Sequence, residues 1–187
     1  MIRPNYVTVL VGAPNTGKTT ELLKLVNAIP KRALIFDLNN EEKYRAFPRM
    51  ALGKLPSWKR ESKSKYRIFH SEPEIVIQSI HDNLRNATLV LEDATSYMDP
   101  STTRVIRKIL VSRRHWNLDI FLTFHSLSVV PPVVFSMCNW IVLKKTNENM
   151  KKIKGMDKLP NPDELVKAWE KVNAHKDPYF QQTIRVQ

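Results

Sequence analysis

Short apolar runs alternate with longer amphipathic segments along most of the chain. The short runs are rich in Val, Ile, Leu and Phe, the composition of buried strands. The longer segments repeat apolar positions at the spacing of a helix. The predicted strands cover 6–11, 33–37, 66–70, 88–92, 119–124 and 140–144, and the predicted helices cover 18–28, 73–85, 100–112 and 161–172. This alternation predicts an α/β fold, a mainly parallel sheet flanked by helices.

The length and two irregular regions predict one domain with two additions. The 187 residues have the size of a single domain, so 1–187 is treated as one unit. Residues at about 40–65 fit neither the helical nor the strand pattern and are predicted to be a basic insertion on the surface. Residues at about 148–187 are predicted to form a small C-terminal helix–strand extension, with an edge strand over 179–186.

The charge balance favours a polyanionic partner. The chain has 30 Lys and Arg against 18 Asp and Glu, a formal charge of +12. Such an excess favours nucleic acid first and an acidic membrane surface second. A single cysteine, Cys138, excludes a disulfide framework and a multi-cysteine zinc site. Pro131 and Pro132 interrupt the longest apolar run and no signal-peptide pattern is present, so we expect neither a membrane span nor secretion.

The firmest chemical signal is a phosphate-binding loop between the first strand and the first helix. The stretch "GAPNTGKTT" has the Walker A spacing, in which backbone N–H groups surround phosphates and the lysine reaches the β and γ phosphates. The hydroxyl after the lysine holds Mg²⁺. We therefore predict ATP and Mg²⁺ as cofactors. The predicted binding residues are Gly12, Ala13, Pro14, Asn15, Thr16, Gly17, Lys18, Thr19 and Thr20, with Thr19 as a metal ligand.

An acidic pair, Glu92 and Asp93, ends the strand at 88–92. Ligands of parallel sheets lie beyond the carboxyl ends of the strands. One carboxylate can hold Mg²⁺ and the other can orient the attacking water. By position Glu92 serves the metal and Asp93 the water, but the usual order is Asp then Glu, so this division stays open. The alternative is a plain acidic loop or helix cap.

The stretch "SRRHWNLDIFLTFHS" (112–126) brackets a strand with cations and a histidine. His125 ends the strand, where it can contact the γ-phosphate or the attacking water; the alternative is a histidine bonded to backbone. Arg113 and Arg114 lie at the other end, too far along a strand of about 3.3 Å per residue to reach the same nucleotide. An arginine there can serve the site of a neighbouring subunit, or it can be a solvated helix end.

The ordered combination of the phosphate loop, the acidic pair and "RHWNLDIFLTFH" resembles the FtsK/HerA superfamily of DNA-pumping ATPases, especially small viral genome-packaging members. The resemblance covers roughly 5–147 and implies a RecA/ASCE-like P-loop NTPase. It aligns Arg114 with the family's trans-acting arginine, with Arg113 as rival, and His125 with its sensor glutamine. It implies a ring, a hexamer or pentamer, that moves double-stranded DNA. The resemblance also implies a capsid or portal protein as partner. It implies a location in the cytoplasm of an infected host cell or on the virion.

A Lys- and Arg-rich stretch at 54–67 is the candidate nucleic-acid contact. Basic side chains contact phosphates without regard to sequence, and the interleaved Trp58 and Tyr66 can stack on bases. The alternative is an ordinary solvated surface. The predicted nucleic-acid residues are Lys54, Lys59, Arg60, Lys63 and Lys65.

The sequence therefore predicts an ATP-hydrolysing motor that translocates DNA, most simply a viral genome-packaging ATPase. One alternative is a nucleoside or nucleotide kinase, which needs only the metal-side acid. A second alternative is a filamentous-phage assembly ATPase of the zonula-occludens-toxin type, and a third is a non-catalytic nucleotide-binding module.

Overall fold

The computed structural model describes residues 5–150, 153, 156–159 and 161–186. Within these residues the chain forms seven strands and five helices, together with short 3₁₀ turns. The strands are β1 (Val7–Val11), β2 (Ala33–Phe36), β3 (Lys65–Ile68), β4 (Ala87–Leu91), β5 (Leu118–Phe124), β6 (Trp140–Leu143) and β7 (Gln182–Arg185). The helices are α1 (Lys18–Ala28), α2 (Pro73–Asn83), α3 (Pro100–Trp116), α4 (Pro132–Met137) and α5 (Pro162–Ala174).

The seven strands form one sheet in the order β3-β2-β4-β5-β1-β6-β7. Strands β1 to β6 are parallel, and β7 pairs antiparallel with β6. The predicted α/β fold with a mainly parallel sheet is confirmed. The carboxyl ends of the parallel strands share one edge of the sheet, here called the carboxyl edge, and their amino ends share the opposite amino edge. Each residue that directly follows one of these strands therefore lies at the carboxyl edge.

Alternate strand residues face two different apolar layers. In β1, Val9 and Val11 join a large cluster completed by residues of α2, α3, α4 and α5. Leu10 points the other way, into a smaller cluster completed by α1, Tyr44 and Phe47. One face of the sheet is thus covered by four helices. The other is covered by α1 and by part of the predicted insertion.

The segment predicted as a basic insertion is more ordered than a loose surface loop. Tyr44, Phe47, Met50 and Leu55 are buried. Because β2 ends at the carboxyl edge and β3 starts at the amino edge, the segment crosses the full height of the sheet. Its first part belongs to the core, and its basic part reaches the amino edge.

The remaining differences from the sequence prediction concern where elements end. Helix α3 runs to Trp116, beyond its predicted end at 112, and carries Arg113 and Arg114 in its last turn. In the C-terminal extension α5 forms, and the edge strand is shorter than the predicted 179–186. Several residues of 148–161 lie outside the described part of the chain. Among the described residues, no helix is long and apolar enough to cross a membrane.

Candidate active site at the carboxyl edge

The phosphate loop is anchored to the strands on both sides of β1. The N–H of Gly12 donates to the carbonyl oxygen of Phe124 at 3.2 Å, and that of Ala13 to the carbonyl oxygen of Lys145 at 2.7 Å. Gly17 caps α1 in the left-handed region, with φ of 81°. A Cβ at Gly12 would lie 2.7 Å from the Cβ of Lys144. The two glycines are therefore required by this loop geometry.

Lys18 lies under the loop, 8% exposed, with its ammonium group donating to the carbonyl oxygens of Gly12 and Ala13. Burial lowers the pKa of this lysine, and the carboxylates of Glu92 and Asp93 oppose that shift. The predicted phosphate lysine and the predicted acidic pair are thus neighbours at the carboxyl edge. A cation held between loop carbonyls and carboxylates is positioned to bind phosphate oxygens.

Glu92 is a buried carboxyl that directly follows β4. Burial, and after it the negative charge of Asp93, raises its pKa to about 7. The phenol of Tyr44 faces both Glu92 and the Thr19 hydroxyl, and burial raises the pKa of that phenol. Glu92 and Thr19, the two predicted metal ligands, therefore lie together around one buried tyrosine.

Asp93 has a different set of contacts, although it is adjacent in the chain. Its backbone is left-handed, with φ of 46°, and its N–H donates to the hydroxyl of Thr123 at 2.7 Å. Its Oδ2 accepts hydrogen bonds from Asn39, at 3.2 Å, and from Ser96. Nε2 of His125 lies 2.9 Å from Oδ1, an ion-pair distance without the alignment of a hydrogen bond. Asp93 and the predicted sensor His125 are thus brought together.

The two candidate arginines lie at the amino edge and differ in burial. Arg113 is 6% exposed and donates to the carbonyl oxygens of Asn5 (3.1 Å) and Leu110 (2.8 Å). Arg114 is exposed. Arg113 is committed to contacts within its own subunit, so only Arg114 is available to a neighbour. The seven residues of β5 separate Arg114 from His125.

Three residues of the site were missed by sequence reasoning. Tyr44 comes from the crossover, and Asp37 follows β2 and binds Arg67 at 3.0 Å. Lys144 follows β6, is 4% exposed, and donates to the carbonyl oxygen of Tyr179 at 3.1 Å. Asp37 and Lys144 directly follow strands, which was an available signal. Tyr44 had none, because its position depends on how the crossover packs.

A cavity of about 840 Å³ opens beside the phosphate loop. It is bounded by the loop, by the first turns of α1 and by the chain before β7. The ring of Tyr179 forms part of this wall and lies 3.2 Å from the position of a Cβ at Gly17. The C-terminal extension therefore completes the surroundings of the phosphate loop. The lining residues include Asn15, Thr20, Glu21, Lys24, Lys43, Phe180 and Gln181.

The donor set suits Mg²⁺. The described residues contain no group of three or more His, Cys, Asp or Glu that could hold a metal, but Mg²⁺ beside phosphates needs only one or two side chains. Thr19 and Glu92 supply a hydroxyl and a carboxylate. The buried oxygen of Tyr44 beside them has no hydrogen-bond partner of good geometry. These residues fit the predicted ion.

The predicted nucleic-acid residues are divided by the structure. Lys54, Lys59, Arg60 and Lys63 are exposed. Lys65 instead donates to the carbonyl oxygens of Val26 and Asn27 at 2.7 and 2.9 Å, capping the end of α1. Its ammonium is therefore committed within the fold, which argues against the predicted nucleic-acid role.

The predicted stacking aromatics are packed as well. Trp58 and Tyr66 pack edge to face, with ring centroids 5.5 Å apart. The indole N–H of Trp58 also donates to Ser64 at 3.2 Å. The packing of these rings disfavours the predicted stacking on bases.

The strand order and the loop after β1 define the fold of a P-loop NTPase, with β5 inserted between β1 and the acidic strand β4. The genome packaging NTPase B204 of Sulfolobus turreted icosahedral virus 2 shares this fold. Its complexes with sulfate and with ATP-gammaS have a TM-score of 0.72 and 20% identity, covering 99% of this chain and 93% or 94% of B204. The predicted resemblance to small viral genome-packaging ATPases is thus confirmed for the fold.

More distant similarity extends to two bacterial proteins. The N-terminal domain of zonular occludens toxin from Neisseria meningitidis has a TM-score of 0.51 and 14% identity, covering 99% of this chain and 96% of that domain. The cytoplasmic domain of the type VII secretion ATPase EccC from Thermomonospora curvata has a TM-score of 0.54 and 12% identity, covering 76% of this chain and 20% of EccC. No family model and no curated protein matches the sequence.

Proposed function

We propose that this chain is an ATP-hydrolysing motor that translocates DNA, acting in viral genome packaging. The observation that carries the proposal is the constellation at the carboxyl edge. Lys18 lies among the loop carbonyls, Tyr44 contacts both Glu92 and Thr19, and Asp93 lies beside His125. The shared fold with B204, a genome packaging NTPase, supports the same conclusion.

The residues divide into a phosphate side and a water side. The loop and Lys18 bind the phosphates of ATP, and Thr19 and Glu92 hold Mg²⁺, which neutralises phosphate charge when bound. Asp93 orients the attacking water and accepts its proton, and His125 beside it holds that water or the γ-phosphate by a hydrogen bond. Hydrogen bonds from Asn39 and Ser96 fix the Asp93 carboxylate for this task.

The proposed assembly is a ring, a hexamer or pentamer, around double-stranded DNA. Arg114 from one subunit completes the ATP site of the next, where an arginine stabilises transition-state charge. Its exposure, and its distance from its own site, support this role. The motor works with a capsid or portal protein, in the cytoplasm of an infected host cell or on the virion.

The deciding experiment measures ATP hydrolysis with and without duplex DNA over a range of protein concentrations. A ring motor is stimulated by DNA, and its specific activity rises as subunits assemble. Lys18→Ala abolishes the activity and excludes a contaminating ATPase. Phosphate transfer to an added nucleoside, unaffected by DNA, would instead establish the kinase alternative.

A further inference from the structure

Three arginines from different segments meet at the amino edge of the sheet. Arg32 precedes β2, Arg85 precedes β4, and Arg60 belongs to the crossover between β2 and β3. The buried guanidinium of Arg32 donates to the carbonyl oxygens of Trp58 (2.7 Å), Lys59 (3.1 Å) and Arg85. It also lies 4.3 Å from the centroid of the Trp58 ring. Arg32 therefore fixes the basic part of the crossover against the sheet.

Arg85 and Arg60 are held beside each other by their own contacts. The guanidinium of Arg85 lies 3.9 Å from the ring centroid of Trp116, and its Nη1 donates to the carbonyl oxygens of His81 at 3.0 Å and Leu84 at 2.8 Å. Its Nε and Nη2 have no hydrogen-bond partner among the described residues, so unlike Lys65 it keeps donors for a phosphate. The carbonyl oxygen of Arg60 accepts a hydrogen bond from Asn86 at 2.9 Å, while its side chain is exposed. The fold thus fixes the guanidinium of Arg85 and the backbone of Arg60 next to each other.

The cluster is held together against electrostatic repulsion. Burial lowers the pKa of Arg32 and of Arg85, and the charge of Arg60 lowers both further. The acids that act on them are Glu61 on Arg32 and Asp82 on Arg85. Asp82 is already bonded to two side chains of its own helix. Such a concentration of positive charge on a fixed support suits a polyanion.

We propose that Arg60 and Arg85, with the exposed Lys59 and Lys63 of the same crossover, bind the phosphate backbone of duplex DNA. This proposal rests on the proposed function and adds the surface that contacts the DNA. Arginine forks match phosphate geometry. The nearby aromatic rings are packed within the fold, Trp58 against Arg32 and Tyr66 and Trp116 against Arg85 and His81, which disfavours stacking of bases on them. That favours a duplex backbone over unpaired bases.

The test is fluorescence anisotropy of a labelled DNA duplex at several salt concentrations. Arg60→Gln/Arg85→Gln is expected to weaken binding about tenfold near physiological salt and to reduce the slope of log Kd against log salt by about two. The control, Lys167→Gln/Lys171→Gln, removes the same charge from exposed positions of α5. It is expected to bind like the unmodified protein.

A single exposed change, Arg60→Glu, guards against misfolding of the double variant, and thermal melting checks both. Wild-type affinity for DNA in the Arg60 and Arg85 variants would overturn the proposed DNA-binding surface but would not contradict the proposed motor function. Equal weakening of DNA binding in the α5 control would show that only the net charge matters, and it would also overturn the proposed surface. Preference for anionic vesicles over DNA would have the same consequence. Absence of DNA binding by the unmodified protein would contradict the proposed function as well.

Discussion

At the scale of single residues, Glu92 and Asp93 show how neighbours in sequence acquire different chemistry. Glu92 faces Tyr44 and Thr19 and carries a raised pKa because it is buried next to another carboxylate. Asp93 is held by hydrogen bonds and paired with His125. These surroundings favour Glu92 for the metal and Asp93 for the water. The reversed order of the pair is then compatible with the usual division of roles.

The raised pKa of Glu92 predicts a pH-dependent stability. The folded pKa of about 7 exceeds the usual 4.5, so the protonated carboxyl of Glu92 adds to the free energy of unfolding. That added stability is fully present below pH 4.5 and is lost as the pH rises through 7. Glu92→Gln removes that loss, so it should stabilise the metal-free protein at pH 8 by about 2–3 kcal/mol relative to pH 5. Denaturant unfolding with EDTA measures this difference. The exposed control Glu170→Gln should not show it, and an equal effect of Glu92→Gln at both pH values would contradict the assignment.

The pair of His125 and Asp93 predicts a selective loss of turnover. His125→Ala should lower kcat by about 10²-fold, the scale for losing one positioned hydrogen-bond donor at a reacting centre. His125→Gln keeps a hydrogen-bonding side chain and should recover most of that loss. Binding of a non-hydrolysable ATP analogue should be unchanged in both variants. If His125→Ala turns over like the unmodified protein, the histidine has no part in hydrolysis.

Sequence motifs predict those site residues that are recognisable from their immediate neighbours along the chain. The phosphate loop and the acidic pair each follow a strand, so their meeting follows from a parallel sheet. Tyr44 could not be predicted, because nothing near it in sequence indicates that it packs between Glu92 and Thr19. Likewise, only burial separates Arg113 from Arg114.

At the scale of elements, alternation of strands and helices was enough to predict the sheet, because buried parallel strands are nearly continuous apolar runs. The crossover at 40–65 escaped prediction since its buried residues, such as Tyr44 and Leu55, follow no helical or strand period. This element links both edges of the sheet. It contributes Tyr44 to the ATP site and Arg60 to the proposed DNA surface.

The position of Tyr179 in the C-terminal extension predicts that its ring contacts the nucleotide base. If the triphosphate occupies the loop, the base enters the cavity whose wall includes Tyr179. Tyr179→Ala should weaken ATP binding about tenfold, the scale of one base–aromatic stack, and Tyr179→Phe should not. Binding of inorganic triphosphate, which has no base, should be equal in all three proteins by calorimetry. Equal loss of triphosphate binding would assign Tyr179 to loop structure instead. Tyr6→Ala, another exposed tyrosine, serves as the control.

At the scale of the whole molecule, the two edges of the sheet have separate tasks in the proposed motor. In that proposal the carboxyl edge holds ATP, and the amino edge presents Arg114 to a neighbour and Arg60 to DNA. In a head-to-tail ring the amino edge of one subunit meets the ATP site of the next subunit. Strand β5 then acts as a rigid spacer between two ATP sites, with His125 at one end and Arg114 beyond the other.

This arrangement predicts complementation between inactive subunits. Lys18→Ala and Arg114→Ala should each be inactive alone, but a mixture contains interfaces where an intact Lys18 meets an intact Arg114. With random assembly at equal amounts, about one quarter of interfaces are of this kind in a head-to-tail ring, and ATPase activity should recover accordingly. Mixing Arg114→Ala with the Lys18→Ala/Arg114→Ala double variant restores no intact pair and should stay inactive. Absence of recovery, with mixed assembly verified by native mass spectrometry, would mean that Arg114 does not act across the interface.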